Sequence, residues 1–425
     1  MYDLFVVITL FGLAFFTLRK RQFDFFTIAF FSSIFYFIPG YLGIVLDYSK
    51  ISHGAASIFP IYWECYIVYC LVQGFLIVGA FIHDTIRPFN RFVVHLPFNT
   101  RNVALYSNFL AYFGVIMAFL VHRDVLFMKD KVKMLTLLEG DRWTIIWSYC
   151  ATFACIFSFI YGNKKLLMLS TVPLILDLFV GFRSATLFSI IGIVTISLHN
   201  KGVFRLGEFI YKPKKLLYTL LFLFVGLFFF VYKSSLYWLK RGDYDSVIEN
   251  VLTPAGLFSS VLIHSEPYPI NLTLHTVLQE QIKTDMIQPL DVLASTIFFS
   301  DLLGIQTDAH YLKQEDIVGR LDFGLASNMW AFMWSSGGWY FLIAFIFIFT
   351  CSLSLGSALL NSCNSFGKGV ILFYFIVLAF YIHRNDFFIQ FVIQKRILLF
   401  ASFIFFLCLI HDSVANAIKK TLAEP

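Results

Sequence analysis

Charge is scarce in this chain. Asp, Glu, Lys and Arg make up 14% of its 425 residues, whereas 59% are hydrophobic and 54 are phenylalanine. A soluble enzyme needs far more polar surface, so that class is excluded and a polytopic membrane protein is expected. Cysteine offers no framework either. The seven cysteines are scattered, none lies between Lys233 and Asn328, and no Cys-x-x-Cys or His/Cys cluster occurs. A disulfide scaffold in the long polar stretch is therefore not expected, nor is a bound metal or other cofactor. Internal repeats and low-complexity tracts are missing too, which removes the usual sign of a pseudosymmetric transporter. The net charge is +6, but the basic residues sit beside apolar runs and form no RNA-binding pattern. Nucleic acid is not an expected partner; membrane lipid headgroups are.

What the chain does have is a succession of apolar runs able to cross roughly 30 Å of hydrocarbon. Candidate spans fall at about 4–18, 23–46, 60–82, 103–121, 143–161, 166–182, 185–199, 215–232, 329–350, 369–382 and 395–411. Because backbone groups in lipid must be satisfied internally, the expected fold is an all-α polytopic membrane protein with about 11 transmembrane helices. The first run ends at Arg19-Lys20-Arg21 without a small-residue cleavage site, so it is expected to stay as the first span. Lysine and arginine favour the loops that an N-out, C-in orientation places inside.

On that topology residues 233–328 face outside, with 12 acidic against 6 basic residues. Their spaced Tyr, Trp, Leu and Phe residues predict amphipathic helices, hence a large, mostly helical extracytoplasmic loop. Three regions follow: a transmembrane bundle at 1–232, the extracytoplasmic layer at 233–328 and a second bundle at 329–425.

A few polar residues stand at predicted outer junctions. Arg183, in GFRSATLF, separates two spans and can either snorkel to headgroups or hold a diphosphate through its planar fork. Arg384, in HRNDFF, recurs about 200 residues later with Asp386 beside it. The segment Gly304–Phe341 carries His310, Arg320 and Asp322 ahead of Ala-Ser-Asn328 and a Trp-rich run with Trp330 and Trp334. Those tryptophans either mark an aromatic belt or stack on sugars. Arg320 either pairs with Asp322 or supplies a third cation. Finally, His264 and Glu266 flank Ser265 ahead of two prolines in LIHSEPYPINLTLHT. A carboxylate or histidine in this external region is able to take a proton from a sugar hydroxyl within hydrogen-bond reach, and the candidates are Glu266, His264, His310 and Asp322. The Asn271-Leu272-Thr273 sequon has meaning only in a glycosylating host.

The combination of GFRSATLF after a span, a large external loop, GLASNMWAFMWSSGGW at its end and HRNDFF late in the chain resembles the bacterial O-antigen and related oligosaccharide repeat-unit polymerases. Members often carry Gly-x-Arg-Ser/Gly, a serine-rich helix start ending in glycine, and Arg-Gly-Asp; here Asn385 replaces that glycine. The resemblance implies a metal-independent glycosyltransferase in the bacterial inner membrane with its active site facing the periplasm. It implies transfer of a growing glycan from undecaprenyl diphosphate to an incoming undecaprenyl-diphosphate-linked repeat unit, with a chain-length-regulating copolymerase as a further partner. In that frame Arg183, Arg384 and Arg320 hold diphosphate, while Asp386, Asn328, Trp330 and Trp334 support the site or bind sugar. An O-antigen ligase and a lipid-linked oligosaccharide flippase are the competing expectations.

Overall fold

A computed structural model of the protein describes residues 1–47, 57–86, 100–123, 134, 137–138, 141–208, 242–249, 253, 266–286, 288–295 and 327–423. The helices are α1 (Tyr2–Leu18), α2 (Phe25–Tyr36), α3 (Ile38–Leu42), α4 (Trp63–Ile86), α5 (Thr100–Val121), α6 (Arg142–Tyr161), α7 (Lys164–Val180), α8 (Ser184–His199), α9 (Tyr244–Val247), α10 (Pro267–Gln279), α11 (Gln288–Ser295), α12 (Met329–Ser362), α13 (Ser365–Tyr381) and α14 (Phe387–Ala423). Two small antiparallel pairs accompany them, β1 (Arg21–Gln22) with β4 (Val203–Phe204) and β2 (Ile44–Asp47) with β3 (Ser57–Pro60). Five helices, α4, α5, α6, α12 and α14, are long and apolar enough to cross a membrane; α1, α2, α8 and α13 are apolar but shorter. The chain is thus a helical, membrane-embedded protein. The candidate span 215–232 lies outside the described residues.

The chain divides into two units. The first comprises Met1–Pro88, Lys201–Ser357 and Leu378–Val392, the second Phe89–Asn200, Ala358–Val377 and Ile393–Pro425. This grouping cuts across the linear division at 232 and 328, because the segment after Lys201 joins the N-terminal helices.

In the first unit, the run 23–46 is not one span. Pro39 lacks an N–H for the Phe35 carbonyl, and its ring crowds that carbonyl, so α2 ends at Tyr36 and a short α3 restarts with Pro39 in its first turn. Gly43 then takes a left-handed φ of +70° and the chain turns into β2. Twelve residues make α2 only about 18 Å long. Its N-terminus is fixed by Asp24, which accepts from the Thr27 amide at 3.1 Å and from the buried Arg21 at 2.8 Å. Arg21 also bonds Thr27 and Asp84, so this buried cation is fully engaged.

The segment from the predicted external layer that forms α10 is an interior helix of this unit, not a cover over it. Eight consecutive residues, Pro267–Leu274, are buried. It packs against α2, α3, α4 and β2. Its one strongly polar buried side chain, Asn271, is satisfied on both ends: Nδ2 donates to the carbonyls of Tyr36 (2.7 Å) and Pro267 (2.6 Å), and Oδ1 accepts from the Tyr69 hydroxyl (2.5 Å). The sequon is therefore closed to glycosylation in the folded chain, since Asn271 is 1% and Thr273 0% exposed.

The run 329–350 is also interrupted. Within α12, Gly337 (φ −153°, ψ 19°) and Gly338 (φ +65°, ψ −153°) leave helical geometry, and the second is a conformation reserved for glycine. The break produces a short buried helix, 329–336, followed by a long membrane-length one.

In the second unit, α5, α6, α7 and α8 form the packed core, with Phe153, Phe157, Phe366 and Phe373 joining α6 to α13 through stacked and edge contacts. Pro173 sits inside α7 and cannot donate to the Leu169 carbonyl; the Tyr112 hydroxyl supplies that bond at 2.9 Å. The Trp147 indole N–H donates to the Pro173 carbonyl at 2.8 Å. These side-chain bonds let a proline persist inside the helix.

Candidate functional site

A solvent-accessible polar cluster lies in the first unit, where the turn after α13 meets the start of α10. The α13 backbone winds once more past Tyr381, with the amides of Arg384 and Asn385 both donating to the Tyr381 carbonyl at 3.0 Å. That turn presents Arg384 to Glu266, the residue preceding α10, with Nε 3.5 Å from Oε2. The Tyr381 ring lies against the guanidinium, its centroid 4.7 Å from Cζ. Both partners are partly open to solvent, at 29% and 25%. Burial opposes the charge on Arg384, but the neighbouring Tyr381, Glu266 and Tyr36 more than offset it and raise its pKa. The cation is thus held by a carboxylate and an aromatic face while remaining accessible to an anion.

The other two residues of Arg-Asn-Asp hold the turn. Asn385 Nδ2 donates to Gln390 Oε1 at 3.0 Å, and Asp386 Oδ1 accepts from the Ile389 amide at 2.7 Å. Asp386 therefore caps α14. Burial raises its pKa, and the amides of Ile389 and Phe388 pull the other way.

Behind Arg384, His383 is fully buried, its ring ringed by Tyr36, Phe37 and Trp330 at centroid distances of 5.9, 5.2 and 5.5 Å. Trp330 Nε1 donates to His383 Nδ1 at 3.2 Å. Trp330 is itself 0% and Trp334 2% exposed, so neither offers a face for a sugar in this structure. Trp334 is covered by Lys283, whose Nζ lies 3.1 Å from the ring centroid. Among the tryptophans of this run, only Trp339 is partly exposed.

Asn328 starts the short helix. Its Oδ1 accepts from the amides of Trp330 (2.9 Å) and Ala331 (3.0 Å), and its Nδ2 donates to the Ile270 carbonyl (3.0 Å), joining α12 to α10. Asn328→Ala is expected to destabilise the protein by about 1–2 kcal/mol, the usual cost of losing such a cap. Asn328→Asp retains the cap and is expected to recover most of that loss; chemical denaturation of both variants in detergent checks the order.

Arg183 belongs to the second unit. Gly181 closes α7 with a φ of +115°, and Arg183 occupies the position before α8, its carbonyl accepting from the Leu187 amide at 2.9 Å. A cation at a helix N-terminus adds to the positive end of the helix, a combination suited to an anion. Thr186 Oγ1 donates to the Leu174 carbonyl at 3.2 Å and ties the two helices of this hairpin together.

His264, His310, Arg320 and Asp322 lie outside the described residues. The structure brings together Arg384, Glu266, Asp386, Trp330 and Asn328. Two contributors were not singled out as site residues from sequence: Tyr381, one turn before Arg384, and Tyr36, which no local pattern marks. Among the described residues no group of three or more His, Cys, Asp or Glu side chains converges. Fold and site define a helical membrane protein with a partly solvent-exposed Arg–Glu pair at helix ends. No family model, no characterised relative and no solved structure matches the chain.

Proposed function

We propose that this protein polymerises undecaprenyl-diphosphate-linked oligosaccharide repeat units at the periplasmic face of a bacterial inner membrane, as an O-antigen polymerase or a close functional equivalent. The observation that carries the reading is the partly exposed Arg384–Glu266 pair, a planar cation backed by Tyr381 with a carboxylate beside it. The sequence resemblance supplies the class of substrate.

In the proposed reaction the bond between the anomeric carbon of the growing glycan and its diphosphate oxygen breaks. A new bond forms between that carbon and a hydroxyl oxygen at the non-reducing end of the incoming repeat unit. Undecaprenyl diphosphate leaves with the electron pair, and the hydroxyl proton passes to a protein base. Arg384 stabilises the negative charge that grows on the leaving diphosphate, more strongly in the transition state than in the bound substrate. Arg183, at the start of α8, is assigned diphosphate binding on the strength of the GFRS resemblance and its place at a helix N-terminus. Glu266 is the acid–base candidate that the described residues hold next to a proposed diphosphate ligand, so it is assigned the acceptor proton. Arg384 does the work that a divalent cation does elsewhere, and the activity is expected to be metal-independent.

The test is reconstitution of purified, chelator-treated protein in liposomes with a verified cognate lipid-linked repeat unit. A ladder of extended glycans without added metal is the expected product. Transfer only to lipid A core instead identifies a ligase, and movement of the repeat unit across the bilayer without a new bond identifies a flippase.

A further inference from the structure

We infer that His383 is a positioning residue: a permanently neutral imidazole, locked in its Nε2–H tautomer by Trp330, that orients the turn carrying Arg384. The inference rests on the diphosphate-binding reading of Arg384 and concerns what holds that guanidinium in place.

Trp330 Nε1 has only a donor to give, so the nitrogen that receives it, Nδ1, must carry a lone pair and no proton. The remaining proton sits on Nε2, which is buried and meets no hydrogen-bond partner. A doubly protonated ring would lose the Trp330 bond and place a second cation, wholly buried, next in sequence to Arg384. The titratable and charged groups around this turn are Tyr36 on α2, Tyr381 on α13, Arg384 and Asp386 in the turn, and Glu266 paired with Arg384. Burial pushes the imidazole down to about 3, so it stays neutral through the physiological range.

Neutrality explains why histidine is tolerated here; the geometry explains what it does. Consecutive α-carbons are about 3.8 Å apart, so the direction of one side chain in a tight turn constrains the next. His383 points inward at 0% exposure, while Arg384 points out to Glu266. Packing of the imidazole against Tyr36, Phe37 and Trp330 prevents the turn from rotating. The Trp330 bond then couples it to the short helix that Asn328 caps and that ends at the Gly337–Gly338 break. The guanidinium is aimed by a chain of fixed groups reaching from α12 to the turn.

The experiment uses the full-length protein in lipid nanodiscs with nitrogen-15-labelled histidine and arginine. The His383 signal is assigned by its loss in His383→Asn, and binding of a short polyprenyl diphosphate is measured in parallel. Native His383 is expected to show the Nε2–H pattern unchanged between about pH 8 and about pH 5, whereas an ordinary histidine titrates near 6.5. Trp330→Phe, which keeps the bulk but removes the donor, is expected to release the Nδ1–H tautomer. His383→Phe is expected to move the Arg384 Nε–H resonance and weaken diphosphate binding about tenfold, as supporting-residue changes commonly do. His383→Asn restores an acceptor near the Nδ1 position and is expected to return both readouts most of the way. A native His383 that titrates in this range or carries its proton on Nδ1 overturns the inference. So does a folded His383→Phe whose Arg384 resonance is unmoved. Absence of diphosphate binding by the native protein sinks the functional reading instead, and the two nitrogen signals still decide the positioning claim.

Discussion

Arg384→Lys is expected to slow glycan chain extension by about a hundredfold to a thousandfold, the range seen when one donor to a developing oxyanion is lost. Lysine keeps the charge, so the loss measures geometry. The guanidinium meets two demands in the structure, Nε reaching Glu266 and Cζ lying over the Tyr381 ring, and the proposed reaction adds a third, donors for the diphosphate. An ammonium is a point charge on a flexible stem, and it cannot meet all three. Glu266→Gln is the companion. If Glu266 takes the acceptor proton, kcat falls by about 10²–10⁴ with a smaller change in KM. An effect confined to KM would restrict Glu266 to orienting Arg384. Steady-state extension rates with a defined repeat unit separate these outcomes, and an Arg384→Lys protein that extends chains at the native rate would remove the site from consideration.

Gly114→Leu is expected to unfold the second unit at temperatures where the native protein is intact. A Cβ at Gly114 would lie 2.6 Å from the backbone nitrogen and 2.9 Å from the α-carbon of Trp147, and 3.0 Å from the Trp143 carbonyl oxygen. These are main-chain atoms of α6 and cannot swing aside, so α5 and α6 must separate. Close approach of helices through small residues is the main packing device inside a membrane, where no hydrophobic drive remains to hold helices together. Even Gly114→Ala is expected to cost about 1–3 kcal/mol as an overpacked contact. Gly74, by contrast, has nothing within 4 Å of the same added carbon, so Gly74→Ala is expected to be neutral or mildly stabilising. Thermal unfolding of the three variants, followed by tryptophan fluorescence in detergent, tests the order; a Gly114→Leu protein that melts with the native one would show that α5 and α6 do not meet at this point.

Composition and run length alone determined that this chain is helical and lies in a membrane, since 59% hydrophobic content in long runs leaves the backbone no other way to satisfy its bonds. In the structure, Gly162 and Gly181 end helices with a positive φ, and Asn163 and Asp141 cap the helices that follow them. The sequence also singled out Arg384, as a cation at the end of an apolar run, and Glu266, as one of four residues of the polar 233–328 stretch able to take a proton.

What pairing they make was not legible. They are 118 positions apart, and hydropathy treats every polar segment between spans as an external loop. Only the tertiary structure shows that Pro267–Leu274 is wrapped on all sides, because its one buried amide finds three partners on residues 36, 69 and 267. Nor does a period of hydrophobicity reveal that Trp330, outwardly a belt or sugar-stacking residue, spends its indole N–H on a histidine 53 positions away. Pattern along the chain fixes which groups must be sheltered; which donor meets which acceptor depends on distances that only the folded packing sets.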